Sequence, residues 1–114
     1  ALDSSRARPD PEVSWAWREL ERTGGVAGVA RLAAGTGWSR RHLLTRFRGQ
    51  VGLAPKAAGR VLRFGRAADL LLRGAGASIA DIAATCGYAD HAHLDRDFRA
   101  LAGCTPTEYV RDLG

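Results

Sequence analysis

The residues of this chain best equipped for chemistry are arginines at helical spacing, and their chemistry is recognition rather than catalysis. Arg40, Arg41, Leu44, Thr45 and Arg48 share the outward side of a segment whose other side carries Leu43 and Phe47. An arginine fork matches the O6 and N7 acceptors of guanine with two hydrogen bonds, and an exposed helix face fits a DNA major groove. A later segment repeats the design, with His91, Ala92, Asp95, Arg96 and Arg99 outward and Leu94, Phe98 and Leu101 inward. Asp95 has two readings, an acceptor for a cytosine amino group or a partner for Arg99 one turn on; the second is favoured. For Arg96 the competing explanation is a local pair with Asp95 or Asp97. Solvated charge on an ordinary helix explains any one of these residues. It does not explain outward charge on the corresponding helix of both segments.

Other chemistry is weaker. Cys86, His91, His93 and Cys104 supply two thiols and two imidazoles, but their spacing fits no familiar zinc pattern, so no metal or other cofactor is expected. A glycine-rich phosphate loop, paired carboxylates in an apolar context and a nucleophile elbow are all missing, which argues against an enzyme. Two cysteines make no disulfide framework and read as reduced thiols. No apolar run approaches the roughly 18 residues of a membrane span, and no signal peptide is evident. The expected location is the cytoplasm, at the nucleoid. The chain starts at Ala1 and has no methionine, which reads as a processed chain or a fragment of a longer protein.

Charge points to a polyanionic partner. The net charge is +5 and the isoelectric point about 10.2. From Arg31 to Arg73 there are ten basic residues, and Asp69 alone opposes them. From Gly74 onward there are three basic and six acidic residues. The linear distribution therefore assigns the electropositive field to the first half, with nine net charges.

The elements that must position these residues are helices throughout, because no segment alternates with period two for long enough to make a strand. Residues 1–9 read as a loose polar tail. Asp10, Pro11 and Glu12 open a first helix, with Asp10 as its cap, and Gly24-Gly25 stop it. A short helix is expected from Val26 to Ala34, a turn at residues 35–38, and a helix capped by Ser39 running to Arg48. Pro55 opens a long helix to Arg73, followed by the hinge-like stretch Gly74-Ala75-Gly76-Ala77. Ser78 and Asp81 form a capping box, Asp90 caps a helix to Leu101, and Thr105 and Glu108 box the last helix. The fold class is all-α with about seven helices: two helix-turn-helix lobes bridged by a long linker helix. The expected boundaries are residues 10–73 for the first lobe with the linker and 74–114 for the second.

The two lobes repeat one another. Residues 29–38 are echoed by residues 79–88, 50 positions later. The echo then resumes one residue out of step, with His42-Leu43 matching His93-Leu94, Phe47-Arg48 matching Phe98-Arg99, and Pro55 matching Pro106.

The second repeat, Ile79-Ala80-Asp81-Ile82-Ala83, Cys86-Gly87-Tyr88, His93 to Arg99 and Gly103 to Tyr109, closely resembles the signature of the AraC/XylS family of bacterial transcription regulators. The first matches through Leu32-Ala33, Gly37 to Arg41, Leu43, Phe47 and Gly52 to Pro55, and the linker through Arg63-Phe64 and Ala67. The resemblance covers roughly residues 26–112. It implies sequence-specific double-stranded DNA binding by a transcription regulator's DNA-binding domain, with both recognition helices entering adjacent major-groove segments. Carried over by position, base-facing sites fall on Arg40, Arg41, Leu44 and Thr45, and on His91, Ala92, Asp95 and Arg96. Ser39, Arg48 and Arg99 fall where phosphate contacts are expected. RNA polymerase is the implied partner in the cell, a sensing domain would lie elsewhere, and this stretch alone is expected to be monomeric. Three features depart from the pattern: Ala58 stands where an aromatic residue is usual, Leu44 and Ala92 could at most touch a thymine methyl, and the second recognition helix carries Asp90, Asp95 and Asp97.

Rival readings are a nonspecific or architectural DNA binder and a protein-interaction module for an acidic partner. DNA-repair methyl acceptors with a similar domain would need a metal-bound cysteine cluster upstream, which this chain lacks.

Overall fold

The computed structural model describes residues 8–74 and 77–113; Ala75 and Gly76 of the hinge-like stretch and most of the N-terminal tail lie outside the described residues. Among the described residues seven helices follow one another: α1 Pro11–Arg22, α2 Val29–Thr36, α3 Arg40–Val51, α4 Pro55–Arg73, α5 Ile79–Thr85, α6 His91–Ala102 and α7 Pro106–Leu113. No strand occurs among the described residues. The all-α reading holds.

Local side chains set most of the helix starts. Ser39 Oγ accepts from the His42 amide at 3.1 Å, and an Asp90 carboxylate oxygen from the His93 amide at 2.7 Å. Ser78 and Asp81 satisfy each other's backbone amides, as do Thr105 and Glu108. Each such cap contributes about 1 kcal/mol by satisfying an amide that has no intrahelical partner. Asp10 is the exception, and its expected capping role is corrected. Its side chain makes no cap hydrogen bond; it accepts from Arg46 Nε and Nη2 at 2.8 and 3.0 Å, and from Gln50 Nε2 at 3.0 Å. A second correction concerns α2, which starts at Val29 because Gly28 is extended at the N-cap.

The chain divides within α4, at Arg60–Val61, into two compact units. In the first, Val13, Ala16 and Leu20 of α1 are buried, as are Leu32, Leu43, Phe47 and Ala58. Gly35 of α2 gives its space to the indole of Trp15, where a Cβ would collide with the ring. In the second unit Ala67, Ala68 and Leu71 from the later part of α4 are buried with Ile82, Ala83, Cys86, Tyr88, Leu94 and Phe98, and Phe64, Tyr109 and Val110 pack against them.

This packing reveals a longer repeat than the sequence echo. Val13, Ala16 and Leu20 stand 51 positions before Phe64, Ala67 and Leu71, and both triplets pack inward from the helix preceding a helix-turn-helix. Each unit thus repeats a three-helix arrangement, α1-α2-α3 and the second part of α4 with α5 and α6, to which the first part of α4 and α7 are added in turn.

Leu101 is corrected: it is 40% exposed rather than part of the core stripe. The buried residues of α6 are Leu94, Asp97 and Phe98. The core ends at Phe98, whose ring meets Phe64 at 4.7 Å and Tyr109 at 5.3 Å between centroids, and the last turn of α6 runs past it. Gln50, the matching position in α3, is exposed as well.

Candidate nucleic-acid interface

The second helix of each repeat enters through a turn built on a left-handed glycine. Gly37 has φ +76° and Gly87 φ +87°, a conformation that a Cβ disfavours. After it, Trp38 packs edge-on against His42 with centroids 4.5 Å apart, and Tyr88 packs edge-on against His93 at 4.9 Å. These aromatic–histidine pairs sit on the two sides of the one-residue slip in the echo, which locates the extra residue at Ala89. Its amide donates to His93 Nδ1 at 3.2 Å, so the insertion leaves no unsatisfied backbone donor there. Sequence reasoning missed these supports, although the repeated aromatic and histidine were visible in the echo.

On α3, Leu43 and Phe47 face the core, and Arg40, Arg41, Leu44, Thr45 and Arg48 are all exposed. Ser39 accepts the cap hydrogen bond and keeps its own hydroxyl proton as a donor, at the positive end of the α3 dipole. Every first-lobe residue picked from the sequence therefore lies on one helix start or one exposed face.

The electropositive field is smaller than the linear count of nine, because acids from outside the segment fold back on it. Arg31 is paired with Glu19 at 2.8 Å, Arg46 with Asp10 at 2.8 Å and Arg63 with Asp97 at 3.7 Å; Arg73 is paired at 2.9 Å with Asp69, which lies inside the segment and is already in its count. Arg22 and Arg31 hold the Glu19 carboxyl down at about 2, Arg22 having the larger effect. The hydrogen bonds from Arg46, and then Gln50, also hold the Asp10 carboxyl below the usual carboxylate range. Arg40, Arg41, Arg48, Lys56 and Arg66 have no acidic partner among the described residues. Three of these five lie on the exposed face of α3.

On α6, His91, Ala92, Arg96 and Arg99 are exposed and Asp95 is partly buried. The three aspartates of this helix do three separate jobs. Asp90 caps it. Asp97 is buried against Arg63, whose guanidinium also sits 4.7 Å from the Tyr88 ring centroid. Burial, reinforced by the Asp97 charge, pushes the Tyr88 hydroxyl up to about 12. Asp95 is paired with His91, Oδ1 to Nε2 3.2 Å, and the expected Asp95–Arg99 pair is not formed. With Asp95 and Asp97 so engaged, Arg96 has no acidic partner among the described residues. Burial raises the Cys86 thiol, and no group of three His, Cys, Asp or Glu among the described residues could hold a metal ion.

The described residues thus form two helix-turn-helix units with matching turns, caps and exposed arginine-bearing helices. A family model described as a helix-turn-helix domain matches residues 32–112. The chain belongs to the AraC-type helix-turn-helix family, the DNA-binding domains of transcription regulators. The C-terminal domain of AraT, a response regulator from Geobacillus stearothermophilus, superposes with a TM-score of 0.84 at 22% identity, over 92% of this chain and 88% of that one, which bears on the fold. The DNA-binding domain of AdpA, a global transcriptional factor solved in complex with a target DNA, gives a TM-score of 0.72 at 31% identity, over 89% of this chain and 87% of that one. The HTH-type transcriptional regulator MtrA of Neisseria gonorrhoeae is 29% identical over 86 residues. That match takes in 75% of this AraC-type chain and 28% of the length of MtrA.

Proposed function

We propose that this AraC-type domain reads double-stranded DNA sequence-specifically, with α3 and α6 as its two recognition helices. The observation that carries this reading is that both helices expose arginines with no acid to neutralise them, Arg40, Arg41 and Arg48 on α3 and Arg96 on α6, while nearby acids are engaged elsewhere. Arg40, Arg41, Leu44 and Thr45, and His91, Ala92, Asp95 and Arg96, face the bases. Arginine takes guanine edges, and Leu44 and Ala92 take thymine methyl groups. Ser39, Arg48 and Arg99 take phosphates and set the register. Arg48 and Arg99 match each other across the repeat, and the AdpA domain, similar over most of the chain, was solved on a target DNA.

In the cell the domain acts on RNA polymerase through the DNA it occupies, works at the nucleoid in the cytoplasm, and carries out no reaction of its own. Among the described residues no helix is long and apolar enough to cross a membrane. The isolated domain is monomeric. Selection from a random duplex pool tests the proposal. Enrichment of one asymmetric sequence supports it; retention of duplex without any enriched sequence shows a nonspecific binder, and no retention overturns it.

A further inference from the structure

We propose that the Asp95 carboxylate, seated against His91 with only Oδ2 presented, is a hydrogen-bond acceptor that makes the second lobe select a base carrying an exocyclic amino group in the major groove, cytosine N4 or adenine N6. The inference rests on the reading of α6 as a base-contacting helix and adds the hydrogen-bonding polarity of one contact.

The geometry is specific. Asp95 and His91 are one turn apart on α6, with side chains 36% and 50% exposed. Asp95 Oδ1 is buried without a hydrogen-bond partner and lies 3.2 Å from His91 Nε2, a charge contact only. The carboxylate therefore offers its exposure through Oδ2, with the imidazole packed beside the buried Oδ1. An ionised carboxylate only accepts hydrogen bonds.

In the major groove the donors are the amino groups of cytosine and adenine, whereas guanine O6 and N7 and thymine O4 are acceptors. A carboxylate brought against those acceptors would lose its water without gaining a hydrogen bond, so Asp95 rejects keto bases as well as favouring amino bases. This polarity complements the rest of the face. Arg96 is a pure donor suited to guanine, and the Asp95 carboxylate is an acceptor suited to the opposite edge. The first lobe has no counterpart, because Arg40 and Leu44 occupy the positions matching His91 and Asp95.

The test uses the duplex enriched from a random pool by the unmodified domain. Each adenine in it is replaced in turn by purine, which lacks the amino group, and each C·G pair by T·A. At one position the replacement is expected to weaken binding roughly tenfold. Asp95→Asn, which can donate as well as accept, is expected to abolish that loss, and Arg96→Ala to leave it intact. His91→Ala, which frees Oδ1, is expected to shrink it severalfold with helical content unchanged by circular dichroism. An Asp95→Asn protein whose whole base profile matches that of the unmodified domain overturns the proposal. A pool that yields no enriched sequence overturns the specific-reading account itself, and the proposal with it.

Discussion

Arg63 and Asp97 meet inside the second unit, Nη2 to Oδ2 3.7 Å apart, and so tie α4 to the buried side of α6. The Arg63 side chain is 21% exposed and that of Asp97 6%, so both charges are largely out of water. Such a pair adds little net stability over apolar packing, but removing one partner strands a buried charge. Asp97→Ala is therefore expected to cost about 3 kcal/mol in urea unfolding, and the double variant Arg63→Met with Asp97→Leu distinctly less. Equal losses for the single and double variants would show that the pair is not what holds α6.

Gly35 and Trp15 give a packing prediction in the first unit. A Cβ at position 35 would overlap the indole ring. Gly35→Ala is expected to destabilise by about 1–3 kcal/mol despite the better helix propensity of alanine. In a Trp15→Leu background the same substitution should be close to neutral, as a thermal-denaturation cycle would reveal.

The salt dependence of DNA binding should separate free arginines from engaged ones. Arg48→Ala is expected to lower the slope of log affinity against log salt by about 0.9, the contribution of one phosphate contact. Arg46→Ala removes the same formal charge, but Asp10 already holds that guanidinium. Its slope should change much less, while its melting temperature falls. Equal slope changes for the two would mean that linear charge, not the paired state, governs attraction.

Acid should loosen the first unit through Glu19. Its carboxyl is held at about 2 in the folded chain against an ordinary 4.5. A depressed carboxyl contributes stability that is present above its unfolded value and lost as pH falls through the folded value. Melting temperature is therefore expected to fall between pH 4.5 and pH 2, and the fall should be shallower in Glu19→Gln. Identical acid profiles would remove Glu19 from the account.

Much of this fold was legible because its signals are local. Ser39, Ser78, Asp90 and Thr105 announce helix starts by bonding amides three residues on, and Leu43, Phe47, Leu94 and Phe98 announce buried faces by their four-residue spacing. What escaped depends on partners distant in sequence. Asp10 looked like a cap and is a ligand for Arg46, 36 residues away, because a bidentate guanidinium outcompetes a backbone amide for a carboxylate. Leu101 has the right spacing for the core but lies past its end and is 40% exposed. The match of α1 to the later part of α4 was hidden because it rests on few identities, Ala16 with Ala67 and Leu20 with Leu71, while Val13 and Phe64 share a role without sharing an identity. At the candidate interface the exposed faces were readable from periodicity, but the pairing of Asp95 with His91 rather than Arg99 was not. Both lie one turn from Asp95, and only coordinates distinguish them.

The central claim is that both α3 and α6 read bases, and Arg41 and Arg96 test it most directly. Affinities of the unmodified domain, Arg41→Ala and Arg96→Ala are measured on every single-base variant of the selected duplex, with the melting temperature of each protein alongside. Each substitution is expected to cost about 1–3 kcal/mol and to erase discrimination at one position, the two positions lying in different half-sites, with melting temperatures unchanged. A uniform loss of affinity with every base preference intact would contradict the account and make these arginines phosphate or structural contacts.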